Sequence, residues 1–366
     1  MSLLLAFLSL TASARTEGLE PSSVCSAEPQ NDSEHPADSL AVVFWNLENF
    51  FDWRAEEGAP DFEFSSHGTR RWTKKRFGRK CDLIAKALLY IADTQGSLPD
   101  VVAFAEVENR FVLSRLIDDT PLRKLDYGIV HYDSPDPRGI DVALLYRTSR
   151  LDTVRTFPVR VPGVATRDML VAQLRRLRNG AQASEDGSAW GAVLGSQQPG
   201  DGDALPTVDS SASTPGDNLA VIVCHHPSKY GGAASVPKRE AAVARLAGLS
   251  DSLSAIGWSA QIAIGDFNDT PDSPIYQRLD SAFVNLAAEP AAKGEGSIRF
   301  DGDWELIDQC FVSKPLASEA RFQVCRIPFL TVRDSAHAGE KPLRTFSGPR
   351  YLGGVSDHCP IHVLCL

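Results

Sequence analysis

Acids, amides and imidazoles recur where the apolar runs of this chain end. Asn46 and Glu48 follow the run Leu40–Trp45, Glu106 follows the run that starts at Val101, and His225 follows Val-Ile-Val-Cys. Asp266 and Asn268 follow Ile-Ala-Ile-Gly, and Asp357 and His358 precede the last apolar run. Taken singly, an Asn or Asp after a strand is a turn residue holding its own backbone, and a Glu there is a first-turn helix acid. The recurrence is what the turn reading leaves unexplained. Clustered acids repel unless a cation sits among them, and these have no Lys or Arg beside them in sequence. Oxygen donors without thiolates select Mg2+, Mn2+ or Ca2+ over Zn2+. Mg2+ held by one or two carboxylates, water and substrate phosphate is an arrangement for phosphoester chemistry. In such a site an Asp holds the attacking water, an Asn donates to a phosphoryl oxygen, and a His stabilises charge on the pentacoordinate phosphorus.

The elements that must position these groups are legible as periodicities. Leu40–Trp45, Val101–Ala105, Tyr127–His131, Ile140–Tyr146, Asp168–Leu174, residues 219–225 and Gln261–Ile264 read as strands, with further strands near 304–312 and 360–365. Phe77, Cys81, Ile84, Leu88 and Ile91 share one face of a helix, and Val243, Leu246, Leu249, Leu253 and Ile256 share one face of another. Glu108–Ile117 reads as a short helix. Residues 178–217 are rich in Gly, Ser, Ala, Asp and Pro without periodicity, which predicts a mobile insertion in a hairpin. Residues 39–366 are expected to form one domain.

With 366 residues, 43% hydrophobic and 23% charged, the chain can bury a large core. Its net charge of −10 argues against a protein coated for non-specific nucleic-acid binding, so any polyanion site must be local. No apolar run is long enough to span a bilayer. Residues 1–14 close on Ala-Ser-Ala like the end of a secretory signal, and 15–38 read as a polar leader; export is expected. The seven cysteines include no C-x-x-C, so zinc has no thiolate framework.

The stretches NLENFF (46–51), EVEN (106–109), SPDPRGIDVALLY (134–146), CHHPSK (224–229), GDFND (265–269) and RTFSGPRYLGGVSDH (344–358) resemble those of the endonuclease/exonuclease/phosphatase superfamily, especially its bacterial exported members. The resemblance runs from about residue 39 to the end, interrupted by the insertion. It implies an α/β fold, a four-layer sandwich of two packed β-sheets flanked by helices, as in deoxyribonuclease I. It also implies Mg2+, with Mn2+ or Ca2+ as substitutes, bound by Glu106 with Asn46 and Glu48 beside it and Asp357 as a further metal-side acid. Asp266 would position or deprotonate water, Asn268 would contact phosphate, and His358 would be the transition-state histidine oriented by Asp308. His225 would be a second catalytic histidine, with Asp141 orienting it.

Where related sequences have Asn-His-Trp, this chain has Cys224-His225-His226, which puts a thiol and an extra imidazole among the expected substrate contacts. Arg138 in SPDPRGIDVALLY and Lys229 in CHHPSK are candidates for binding substrate. The run 70–80 carries seven basic residues, and Arg70, Arg71 and Lys74 are its candidates for contacting a polyanion. The expected reaction is in-line attack of water on a phosphoester by a monomer, with DNA or RNA as substrate. A phosphatase or phospholipid diesterase is the alternative within the class. An idle binding module would lack Glu106, Asp266 or His358, and all three are present.

Overall fold

The computed structural model describes residues 39–55, 57–59, 61–177 and 217–365. The expected signal and leader, and residues 178–216 of the expected insertion, lie outside the described residues.

The first sheet starts with β1 (Leu40–Phe50), which a long helix, α1 (Lys74–Gln95), joins to the parallel β2 (Val101–Val107). The Thr73 side chain caps α1 by accepting from Arg76 N–H, and Gly96 ends it in the left-handed region at φ 74°. Asn109 of EVEN caps α2 (Arg110–Asp118) in the same way, accepting from Val112 N–H. Then come β3 (Tyr127–His131) and β4 (Asp141–Arg147). The second sheet contains β5 (Leu151–Val159), β6 (Met169–Arg176) and β7 (Asn218–His225); α3 (Val236–Ala255) leads from β7 to the parallel β8 (Gln261–Asp266). β9 (Phe283–Asn285) precedes a hairpin of β10 (Ile298–Phe300) and β11 (Asp303–Glu305), and β12 (Asp308–Ser313) returns to the second sheet. The chain then enters the first sheet with β13 (Arg321–Val324), makes two small hairpins, β14 (Thr331–Arg333) with β15 (Glu340–Pro342) and β16 (Phe346–Ser347) with β17 (Arg350–Tyr351), and ends in β18 (Ile361–Cys365).

The sheets run β13-β18-β1-β2-β4-β3 and β5-β6-β7-β8-β12-β9, each built around one parallel pair with a helical crossover. Alternation along the strands divides the core into three layers. Phe44, Ala103 and Leu144 of the first sheet meet Leu170, Val221 and Ile264 of the second between the sheets. Val43 and Phe104 face α1 through Phe77 and Ile84, and Ile222 and Ala263 face α3 through Val243 and Leu246. This is the expected four-layer α/β sandwich. No described helix is long and apolar enough to cross a membrane.

Phe44 is fully buried in the apolar layer between the sheets. Phe44→Ala is therefore expected to cost about 3–5 kcal/mol, as cavity formation at a large buried ring does. A denaturant midpoint unchanged in this variant would show that the inter-sheet layer is not the stabilising core.

Candidate active site

The site forms where the C-terminal ends of both parallel pairs meet, the place where open α/β sheets bind ligands. Register builds part of it. In β7–β8 His225 lies opposite Asp266, and in β8–β12 Asp266 lies opposite Asp308, so three ionisable residues stand side by side on adjacent strands. The first sheet contributes through irregular strand ends. Its register shifts between Asn46 and Phe50, and between Ala105 and Val107, with Glu48, Asn49 and Glu106 at φ 48°, 57° and 61°. Asn268 in the second sheet sits at φ 51°. Non-glycine residues in the left-handed region cost about 1–3 kcal/mol each and persist where the surroundings hold them. Here Asn49 N–H donates to Glu106 Oε2, Glu48 N–H to Asn46 Oδ1 and Asn268 N–H to Asp266 Oδ1, each at 2.9 Å.

Asp266 is the hub. Its Oδ2 accepts from Asn46 Nδ2 at 3.1 Å, across the two sheets, and stands 3.5 Å from His225 Nε2 and 4.0 Å from His358 Nε2. His358 Nδ1 and Asp308 Oδ2 share a hydrogen bond at 2.7 Å, and the His358 backbone is fixed by Ser356 Oγ, which in turn donates to Asn46 O at 2.6 Å. His225 Nε2 stands 4.0 Å from Glu106 Oε1, closing the group from the other side.

Burial and neighbours separate the roles of these groups. Burial, reinforced by Asp308, pushes the Asp266 carboxyl up to about 7, against the pull of His358. Burial alone would strip the proton from His358, but Asp308, through charge and hydrogen bond, and then Asp266 hold it well above the ordinary imidazole range. Burial, with Arg167 and Arg138 nearby, holds His225 well below that range. The two histidines are thus driven apart, His358 toward the imidazolium and His225 toward the neutral imidazole.

The carboxylates differ in what they leave open. Glu106 uses Oε2 for Asn49, whereas Oε1 accepts no hydrogen bond among the described residues and faces Arg138 Nη1 at 3.9 Å. Both Glu48 oxygens are engaged: Oε1 takes Arg344 at 2.7 Å and Oε2 takes Thr345 N–H at 3.2 Å. Arg344 also reaches Asp357 Oδ2 at 3.2 Å. Glu48 and Asp357, expected as metal-side acids, thus share the single charge of Arg344, and burial with Asp357 pushes the Glu48 carboxyl up to about 7. Glu106 Oε1 and the Asn46 amide oxygen are hard donors beside buried acids, a set that fits a divalent cation.

Other expectations need correction. Asp141 does not orient His225: its Oδ1 accepts from Ser134 N–H at 2.9 Å and from the Ser134 hydroxyl, and its Oδ2 lies 3.3 Å from His131 Nε2. It stands at the start of β4 beside Val107, across the first sheet, whereas His225 ends β7 in the second. Cys224 and His226 are not substrate contacts either. They flank His225 and so turn to the outer core by strand alternation. Cys224 packs in the layer under α3, and the buried His226 ring meets Phe267 with centroids 4.6 Å apart. Lys229 is held by Glu305 at 3.1 Å and Asp269 at 3.6 Å. Lys80, counted in the basic run, is 1% exposed and donates from Nζ to Glu48 O at 2.9 Å, with burial pulling its ammonium down to about 8. Arg71 and Lys74 are exposed, and Arg70 pairs with Glu63 while lying over Phe64.

Sequence reasoning missed Arg344, Ser356 and Lys80 as parts of the site. Lys80 carried a signal, since it lies on the apolar stripe between Phe77 and Ile84. Arg344 and Ser356 carried none beyond membership of RTFSGPRYLGGVSDH.

The endonuclease/exonuclease/phosphatase family model matches residues 41–179 and 207–365. Among solved structures, an endonuclease/exonuclease/phosphatase family protein from Bacteroides thetaiotaomicron is similar at 15% identity and a TM-score of 0.50, with 89% of this chain and 97% of that one covered. Truncated TDP2 from Caenorhabditis elegans is similar at 14% identity and a TM-score of 0.51, with 90% and 97% covered. These likenesses are of fold. No curated protein matches the chain. With the family matched over most of its length, and Asp266, Asp308 and His358 close enough together to hold a cation where the strand ends of the two sheets meet, the chain belongs to the endonuclease/exonuclease/phosphatase family and is a metal-dependent phosphoesterase.

Proposed function

We propose that this protein is a Mg2+-dependent phosphodiesterase that cleaves nucleic acid by in-line attack of water. The observation that carries the reaction is the convergence on Asp266 of Asn46, His225 and His358, with Asp308 behind His358. Glu106 and Asn46 would hold the cation, which when bound neutralises phosphate charge and polarises the phosphoryl oxygen. Asp266 accepts the proton of the attacking water. Asn268 donates its Nδ2 to His226 O at 3.0 Å, which keeps the side chain ordered at the mouth of the site. The imidazolium of His358 stands 4.0 Å from Asp266 and meets the charge that grows on phosphorus, while Asp308 keeps that proton count and ring orientation. Arg138, half exposed and reaching Glu106, is placed to meet a substrate phosphate.

Nucleic acid is favoured by a basic face continuous with the site. Arg70 donates to Gly348 O at 2.7 Å, Arg76 stacks on Tyr351, and this same segment delivers Arg344 to Glu48. Exposed Lys74 and Lys75 extend that face. Purified protein with Mg2+ is expected to cleave plasmid DNA or single-stranded RNA and bis-p-nitrophenyl phosphate, and to leave sphingomyelin and phosphomonoesters nearly untouched. The double variant Lys74→Glu/Lys75→Glu should weaken nucleic-acid cleavage by roughly tenfold or more at low salt, through lost phosphate contacts, while sparing the small diester. Equal rates on DNA for variant and wild type would remove the basic face from the account.

A further inference from the structure

We propose that Asp136, in the SPDPRG stretch, is a positioning residue that aims the Arg138 guanidinium at a substrate phosphate, with the buried Arg167 as its anchor. Asp136 Oδ1 accepts from Arg138 N–H at 2.9 Å and lies 3.5 Å from Arg138 Nε. The Asp136 carbonyl accepts from Gly139 N–H at 3.0 Å, and Gly139 takes φ 65° where the turn closes. Pro135 and Pro137 flank Asp136, which leaves the turn few other conformations. On its far side, Asp136 Oδ2 accepts from Arg167 Nη1 at 3.1 Å, and Arg167 Nη2 donates to His226 O at 2.8 Å.

Turn formation explains only part of this. An Asn holds a turn through the same side-chain oxygen without a charge. The Asp136 and Arg167 side chains are instead 4% and 5% exposed, and desolvation offsets most of what a buried ion pair returns in stability. What the pair supplies is placement. Asp136 lies in the loop from β3 to β4 of the first sheet, and Arg167 just before β6 of the second. A planar guanidinium fork holds both acceptors at once, which fixes that loop relative to His226 O. The same carbonyl accepts Asn268 Nδ2 at 3.0 Å, so the loop carrying Arg138 and the side chain of Asn268 are referred to one arginine. Arg138, half exposed, then extends to 3.9 Å from Glu106 Oε1. A guanidinium already drawn to Asp136 gives up less freedom on meeting a phosphate than one free in solvent.

The test is a double-mutant cycle of Asp136→Asn and Arg138→Ala in the full chain, with kcat and KM for bis-p-nitrophenyl phosphate measured at saturating Mg2+. Arg138→Ala is expected to raise KM roughly tenfold or more, as loss of one charged hydrogen bond does. Asp136→Asn keeps the acceptor for Arg138 N–H but loses the charge, and should raise KM several-fold with a smaller change in kcat. Because Asp136 acts through Arg138, the double variant should have the KM of Arg138→Ala alone. Losses that multiply, or an Asp136→Asn enzyme with wild-type KM, would overturn the proposal. If Asp136→Asn does not fold, Arg167→Lys decides: it keeps the charge beside Asp136 but loses the fork. It should raise KM in the presence of Arg138 and leave KM unchanged in the Arg138→Ala protein, and any other pattern would overturn the proposal. The inference rests on the phosphodiesterase reading, which wild-type turnover tests first. No turnover would overturn both, whereas turnover with multiplying losses would overturn this one alone.

Discussion

His358→Ala is expected to lower kcat by roughly a hundredfold or more with KM nearly unchanged, because its imidazolium meets charge that exists only in the transition state. The geometry makes the expectation specific. His358 is buried, its Nδ1 is committed to Asp308 at 2.7 Å, and its Nε2 points into the group at 4.0 Å from Asp266 and 3.8 Å from Asp357. Asp308→Asn removes the charge that keeps His358 protonated, so it should follow the same pattern with a smaller loss of kcat. The pair acts as a unit, and the double variant should be scarcely worse than His358→Ala alone. The measurement is the full cycle at saturating Mg2+ on the small diester. Additive losses, or a His358→Ala enzyme with near wild-type kcat, would make the pair structural and leave His225 as the next candidate.

Glu106→Gln is expected to raise the Mg2+ concentration needed for half-maximal activity and to lower activity by more than the roughly 10–100-fold that loss of an outer-shell partner costs. Glu106 is singled out because its Oε1 accepts no hydrogen bond among the described residues and belongs to an acid that no arginine binds closely, whereas Arg344 and Thr345 occupy both Glu48 oxygens. The Gln keeps the shape, and its amide oxygen can still accept from Asn49 N–H, so the left-handed strand end should survive. Glu48→Gln should shift the Mg2+ requirement less, since an arginine already pairs with that carboxylate. EDTA should abolish wild-type activity, and Mg2+ or Mn2+ should restore it. Full activity after exhaustive chelation, or a larger Mg2+ shift in Glu48→Gln than in Glu106→Gln, would count against this assignment.

Much of the fold was legible because buried strands and amphipathic helices leave strong periodicities. α1 and α3, the four parallel strands and β3, β4, β6, β12 and β18 all fall on segments read as such from apolar spacing. β5 was not legible. It is an edge strand whose middle is only partly buried, with Pro158 and a register shift between Thr153 and Arg155, so its alternation is blurred. β1 runs past Trp45 to Phe50 because its last residues keep pairing with β2 through a bulge that polar residue types conceal.

The sequence by itself determined which residue types stand at the strand ends, and therefore that hard-oxygen metal chemistry with paired imidazoles was available. A side chain's chemistry and its place at the end of an apolar run are local properties. Which group meets which was decided by the tertiary structure. Asp308 faces His358 because β8 and β12 pair in one register and the last loop returns across the sheets; nothing local links residues 50 positions apart. Asp141 has the residue type to orient His225 but belongs to the other sheet, where His131 lies within reach. Lys80 belongs by residue type to the basic run 70–80, and only the packing of α1 carries it under Glu48. Each outcome depends on distances of 3–4 Å set by sheet register and layer packing, which no periodicity of one segment encodes.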